Sequence, residues 1–104
     1  MKESIGEATL AMHLKAYKIE IQQEVCLVPG RKYRWDFYLR DKDLAIEVSG
    51  QTWQKGGHSS GAGILRDYRK NNAAVLAGLK CLFFTTEQVT SGEAIETIKQ
   101  ALGA

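Results

Sequence analysis

Two acidic residues, Asp36 and Glu47, flank a short polar turn in the run Arg34-Trp-Asp-Phe-Tyr-Leu-Arg-Asp-Lys-Asp-Leu-Ala-Ile-Glu-Val-Ser49. If Asp41 and Lys42 make the turn, Arg40 pairs with Asp43, and counting outward sets Asp36 against Glu47. Their β-carbons would then lie roughly 5 Å apart, a spacing at which like charges weaken a sheet unless something offsets them. A divalent cation does so, because hard carboxylate oxygens at that separation can share one ion. Two more carboxylates are candidates for a third acidic group. Glu7 extends the apolar stripe of an N-terminal helix toward such a site, although Ser4-Ile-Gly-Glu7 also reads as a capping box in which Glu7 folds back on the helix start. Glu24 falls opposite Asp36 if the preceding loop is the three residues Pro29 to Arg31; it could equally be a solvated strand residue paired with a nearby arginine or lysine.

The elements that must position these groups follow from periodicity. The alternation on both sides of the turn predicts a β-hairpin. It places Trp35, Phe37 and Leu39 on one face with Leu44, Ile46 and Val48, and Arg34, Asp36 and Tyr38 on the other with Ala45, Glu47 and Ser49. A strand precedes it over Ile19 to Leu27, and a helix before that over Ser4 to Tyr17, with Leu10, Leu14 and Tyr17 inward. After the hairpin comes the glycine-rich stretch Gly50 to Gly63, which should lie over the acidic face and could hold a phosphate on its backbone N–H groups. His58 within it could orient a water, touch a phosphate or cap the loop, and Trp53 reads as a lid over the core more than a stacking platform. A second helix over Ile64 to Ala77 is expected to bury Ile64, Leu65, Tyr68, Val75, Leu76 and Leu79, with Arg66, Arg69 and Lys70 on other sides. Lys80 to Thr85 reads as an interior strand added beside the third, and Ser91 as the cap of a last helix with Ile95, Ile98 and Leu102 inward. The expected class is α/β (α+β): the order α-β-β-β-α-β-α, with a mixed four-stranded sheet flanked by helices.

Bulk properties bound the partners. The 104 residues make one domain, 1–104, with 44% hydrophobic and 25% charged residues, ordinary globular values. No apolar run approaches the ~20 residues of a membrane span, and no secretory signal is visible. A net charge of +2 does not argue for nucleic acid by itself, so any basic patch must be local. Cys26 and Cys81 sit in apolar strand-like runs and read as buried thiols of a reducing compartment, which points to a cytoplasmic protein.

An ordered set of short motifs carries more than any one of them. Arg34-Trp-Asp-Phe37 is followed by Ala45-Ile-Glu-Val-Ser-Gly50, then Trp53, Gly57-His58, Gly61 and Gly63, then Asp67-Tyr-Arg-Lys-Asn-Asn-Ala-Ala and Gly78-Leu-Lys-Cys-Leu-Phe-Phe-Thr. In this the chain resembles the PD-(D/E)XK nuclease superfamily, and within it the small phage and prophage endonucleases akin to the Vsr-like and VRR-NUC-like branches. The resemblance implies a restriction-endonuclease-like core and hydrolysis of DNA phosphodiesters that depends on Mg²⁺ or Mn²⁺. It implies Asp36 and Glu47 as side-chain metal ligands, with the Val48 carbonyl beside them. The superfamily's lysine, two residues after the glutamate, is Ser49 here. Lys70, from the next helix, is the expected replacement, while Gln51 could orient water but carries no charge. Lys32, Arg34, Lys55, His58, Arg66 and Arg69 are the expected contacts to DNA. The related small nucleases include enzymes that cut branched DNA as two-fold dimers, so a homodimer acting on junction or other branched DNA is expected. The alternative, which Ser49 favours, is a catalytically inactive nucleic-acid-binding module of the same fold.

Overall fold

The computed structural model describes residues 5–49 and 61–103. The elements run α1 (Ile5–Ala16), β1 (Gln22–Cys26), β2 (Arg34–Leu39), β3 (Leu44–Ser49), α2 (Gly61–Leu76), β4 (Lys80–Thr85), α3 (Thr86–Thr90) and α4 (Glu93–Ala101). The expected α-β-β-β-α-β-α order holds, with the last helical unit in two pieces. Thr85 caps α3 through a capping box with Gln88. Ser91 ends α3 instead of starting α4, because Gly92, at φ 93°, makes the turn between them.

The four strands form one mixed sheet in the order β1-β2-β3-β4, antiparallel across the first two pairings and parallel between β3 and β4. The parallel pairing requires a crossover, which α2 supplies. β4 is therefore an edge strand and not an interior one, and Phe83 on it is 44% exposed. The β2–β3 register, Leu39↔Leu44 through Phe37↔Ile46, is the one the alternation predicts. The turn is tighter in hand than a two-residue loop: Arg40–Lys42 make a 3₁₀ turn and Asp43 takes φ 49°. The Tyr38 hydroxyl donates to Asp43 Oδ1 at 2.8 Å and pins that turn.

The sheet carries a core on each face. α1, α3 and α4 cover the larger, where Leu10, Leu14, Phe37, Leu44, Ile46 and Ile98 are buried. Tyr17, expected inward, is 51% exposed and lies under the Lys99 ammonium instead. Under α2 the smaller core joins Trp35, Ala45 and Ala74, flanked by Leu27, Val28, Leu79 and Cys81. The hairpin's second face is partly a core, because Ala45 on it is fully buried. One expectation is overturned: Trp35 does not share a face with Phe37. β1 switches faces at the same level, and there the cause is local: Glu24 takes φ 57°, and the pairing of β1 with β2 skips Glu24↔Asp36 between Gln23↔Phe37 and Val25↔Trp35. A left-handed residue rotates the strand, so the side chains on either side of it change faces. Ile21 accordingly packs on the larger core and Leu27 on the smaller. Cys26, near the end of this edge strand, is exposed and not buried as expected; Cys81 is half-buried, and both thiols are free.

α2 also departs from expectation. Leu65, Tyr68, Val75 and Leu76, predicted to be inward, are exposed, the last at 88%, as is Ile64. Among the described residues of this helix, the one fully buried is Ala74, with Lys70 half-buried one turn before it. A small residue lets α2 approach the Trp35 ring closely, and the longer apolar side chains are left on the far side.

Candidate active site

The site grows out of the break in the β1–β2 ladder. Beyond Phe37↔Ile46 the same register sets Asp36 across from Glu47, but no ladder pairing is made there. Instead the Val48 N–H donates to Asp36 Oδ2 at 2.8 Å. A strand's N–H lies in the plane of its sheet, so the Asp36 carboxylate reaches into the seam between β2 and β3. There it is half-buried, and burial pushes its carboxyl above the usual aspartate range. The Val48 N–H pulls it back, the neighbouring Glu24 charge pushes it up, and Lys70 and Arg34 draw it down.

Glu7 from α1 and Glu24 from β1 converge on the same point. Each of Glu7, Glu24 and Asp36 offers a carboxylate oxygen, and these oxygens lie within 4.8 Å of one another. Glu7 is buried, at 7% exposure, so it stands inside the fold at the seam. It gets there because α1 begins tightly against the sheet. A β-carbon on Gly6 would come within 2.8 Å of Thr86 Oγ1 and 3.0 Å of Val48 Cγ1, so only glycine allows this approach. Glu24 realises both readings open in the sequence: it belongs to the acidic trio, and its Oε1 meets Arg34 Nε at 3.3 Å. Three hard oxygen donors from three elements fit Mg²⁺ or Mn²⁺ and would not select a soft, thiolate-seeking metal.

Glu47 stands beside the trio, not within it. Its Oε1 accepts from Lys70 Nζ at 3.0 Å. Lys70 is 13% exposed, also donates to the Arg34 carbonyl, and holds its ammonium 4.8 Å above the Trp35 ring. Burial pushes the Glu47 carboxyl up, Lys70 draws it down, and the charges of Asp36 and Asp67 raise it. Lys70 therefore reaches the glutamate from α2, in the neighbourhood that Ser49 cannot serve. Ser49 itself is exposed at the end of β3, where its carbonyl accepts from Thr86 Oγ1. Val48 gives its N–H to Asp36 and its side chain to the core.

Of the remaining expected contacts, Lys32, Arg34, Arg66 and Arg69 are exposed. Lys55, His58, Gln51 and Trp53 lie outside the described residues. The sequence reading missed two residues that shape the site. Trp35 is fully buried and gives Lys70 a π face; its indole N–H meets no acceptor among the described residues. Gly6 was legible in principle, since a glycine inside an apolar helical pattern usually has a packing reason.

Among the described residues no helix is long and apolar enough to cross a membrane. No protein-family model matches the sequence, and no curated protein matches it. A solved structure does match: the catalytic domain of the homing endonuclease I-Bth0305I. It superposes with a TM-score of 0.70 at 21% identity, over 95% of this chain and 92% of that one. At this identity the likeness establishes the fold, an α+β arrangement shared with a nuclease catalytic domain.

Proposed function

We propose that this chain is a single-domain endodeoxyribonuclease of the PD-(D/E)XK type, of the Vsr-like or VRR-NUC-like kind, hydrolysing DNA phosphodiesters with Mg²⁺ or Mn²⁺. The observation that carries the reading is the meeting of Glu7, Glu24 and Asp36 within 4.8 Å, at a seam flanked by the Glu47–Lys70 pair. The fold shared with a homing endonuclease catalytic domain supports it. Asp36 is the central ligand, with Glu7 and Glu24 as the donors that meet it, and with the Val48 carbonyl and Glu47, which Lys70 holds beside the trio, as the further ones. A metal bound there supplies a polarised phosphate oxygen and a water of lowered pKa. Lys70, fixed by Glu47, the Arg34 carbonyl and the Trp35 ring, holds positive charge where negative charge develops on the phosphate. Lys32, Arg34, Lys55, His58, Arg66 and Arg69 contact backbone phosphates and so position DNA without reading its sequence. In this reading the protein works in the cytoplasm as a homodimer on branched or junction DNA, since one such site cuts one strand and a second copy of the domain supplies the second cut.

The test is a cleavage panel of linear, flapped and four-way DNA with Mg²⁺ and with Mn²⁺, run beside Asp36→Ala and Lys70→Ala. Cleavage that needs the metal and is lost in Asp36→Ala is expected. Full metal-dependent activity in Asp36→Ala would sink the reading. Ser49 in the place of the motif lysine favours a second reading, a nucleic-acid-binding module without turnover. That reading predicts salt-sensitive DNA binding with no Mg²⁺ site, which titration of the metal alone decides.

A further inference from the structure

The chain enters β2 through Arg31-Lys-Tyr-Arg34, a segment that sets three cations around one aromatic ring and carries no carboxylate. A turn fixes its start. The Arg31 N–H donates to the Val28 carbonyl at 3.2 Å across Pro29 and Gly30, and Gly30 takes φ 79°, as the third position of a type II turn demands. Arg31 is exposed, yet its side chain is held as well. The guanidinium carbon stands 5.2 Å from the centre of the Tyr33 ring, and one guanidinium nitrogen donates to the Tyr33 hydroxyl at 3.3 Å. Tyr33 is half-buried and meets the Trp35 ring edge to face, with 6.3 Å between centres and 73° between planes. Trp35 in turn lies under the Lys70 ammonium at 4.8 Å. Cation, ring, ring and cation form one continuous series from solvent to the Glu47–Lys70 pair.

We infer that Arg31, held on Tyr33, is a stacking platform for an unpaired nucleobase, so that the DNA this site takes has a nucleotide out of the duplex stack beside the cut. The guanidinium is planar, and nucleobases stack on such planes as they do on aromatic rings. Ordering a long exposed side chain costs entropy, and here the two contacts with Tyr33 offset that cost before any strand arrives. Arg34 is committed to Glu24, whereas Arg31 meets a neutral ring and Lys32 is exposed, so both charges complement the phosphates on either side of the stacked base. The place is right for a base near the reacting phosphate. Two ring steps, of 6.3 Å and 4.8 Å, separate Tyr33 from Lys70 Nζ, a reach of at most about three stacked nucleotides at ~3.4 Å each. Within a duplex both faces of every base are covered by neighbours, so a platform of this kind has use only for a base that has left the stack. An acidic peptide would use the charges and not the plane. The inference rests on the DNA-binding part of the function proposed above, gives that DNA a shape, and does not need the metal.

The test is binding of the full chain to labelled DNA by fluorescence anisotropy in the presence of EDTA, so that cleavage does not enter. The probes are a paired duplex and the same duplex with unpaired adenines in one strand. The wild type is expected to bind the second about tenfold or more tightly, the contribution of one stacked base. A 2-aminopurine at the unpaired position is expected to lose fluorescence on binding. Arg31→Lys keeps the charge and loses the plane, and Tyr33→Leu removes the ring that holds it; each is expected to reduce the preference to about twofold or less. Arg31 lies outside both cores, so Arg31→Lys carries the test even where Tyr33→Leu fails to fold. Lys32→Ala is expected to weaken binding to both probes alike and keep the preference. DNA bound without preference, or a preference that survives Arg31→Lys, overturns the platform and leaves the nuclease reading standing. No binding to either probe overturns both. A preference lost in Arg31→Lys, in a chain that cuts no DNA, upholds the platform while the nuclease reading fails.

Discussion

Replacing Lys70 by methionine keeps most of the side chain's packing and removes its ammonium. Three contacts go with it: the 3.0 Å bond to Glu47, the bond to the Arg34 carbonyl and the position over Trp35. A hydrogen bond to a charged partner contributes about 1.5–3 kcal/mol, and Glu47 keeps 29% of its surface in water, so the lower part of that range applies to it. The whole change should cost about 2 kcal/mol above neutral pH, or about 1 M in the urea midpoint of a chain this size. Its pH dependence is the sharper test. Burial already holds the Glu47 carboxyl above its ordinary 4.5, and Lys70 is the largest influence in the other direction. Without Lys70 the folded value climbs further. A carboxyl raised in the fold favours folding while protonated and loses that contribution as pH rises through its folded pKa. The variant's deficit should therefore shrink at pH 4.5 to the about 1 kcal/mol owed to the Arg34 carbonyl and the Trp35 ring, open as the pH rises through the raised Glu47 range, and level off by pH 8.5. Urea unfolding followed by tryptophan fluorescence measures it. On a Glu47→Gln background the same change should cost about 1 kcal/mol less and lose its pH dependence. An equal deficit at both pH values, or one unchanged on that background, refutes the idea that Lys70 serves to hold a buried carboxylate.

Other predictions follow from the same geometry. Asp36→Asn should weaken Mn²⁺ binding at least tenfold by calorimetry, and wild-type affinity should fall on acidification from a higher pH than for an ordinary aspartate, because burial raises this carboxyl and the ion competes with its proton. Gly6→Ala should destabilise by about 1–3 kcal/mol, since its methyl meets Thr86 and Val48 at 3.2 Å or less; displacing α1 should also lower metal affinity through Glu7, and a stability unchanged in denaturant titration would mean that α1 yields freely. Arg66→Ala and Arg69→Ala should each weaken DNA binding alike on all sequences and lower the salt slope by about one, read by fluorescence anisotropy across a salt series.

The local signals in this chain are of period two and period 3.6, and they determined whatever depends on neighbours. The alternation around Asp41 and Lys42 set the β2–β3 register, because a slip by one residue would turn every apolar side chain out of the core. Odd loop length likewise aligned Glu24 with Asp36, and Leu10 and Leu14 marked the inner face of α1. Tertiary structure decided which way the pieces face. The left-handed residue at Glu24 turns Leu27 to the opposite side of the sheet, where Trp35 of the next strand also packs, and no pattern of polarity announces a single rotated residue whose neighbours still alternate. The burial of Glu7 depends on how closely α1 approaches β3 and α3, a distance set across the whole fold. The orientation of α2 is the clearest case. Its apolar stripe alone says that some surface must cover it, and the same residues would serve a core or a contact with another chain. Ala74 and Lys70 face inward because the space between α2 and the Trp35 ring admits a methyl group and a straight stem, and that space exists only once the sheet has formed.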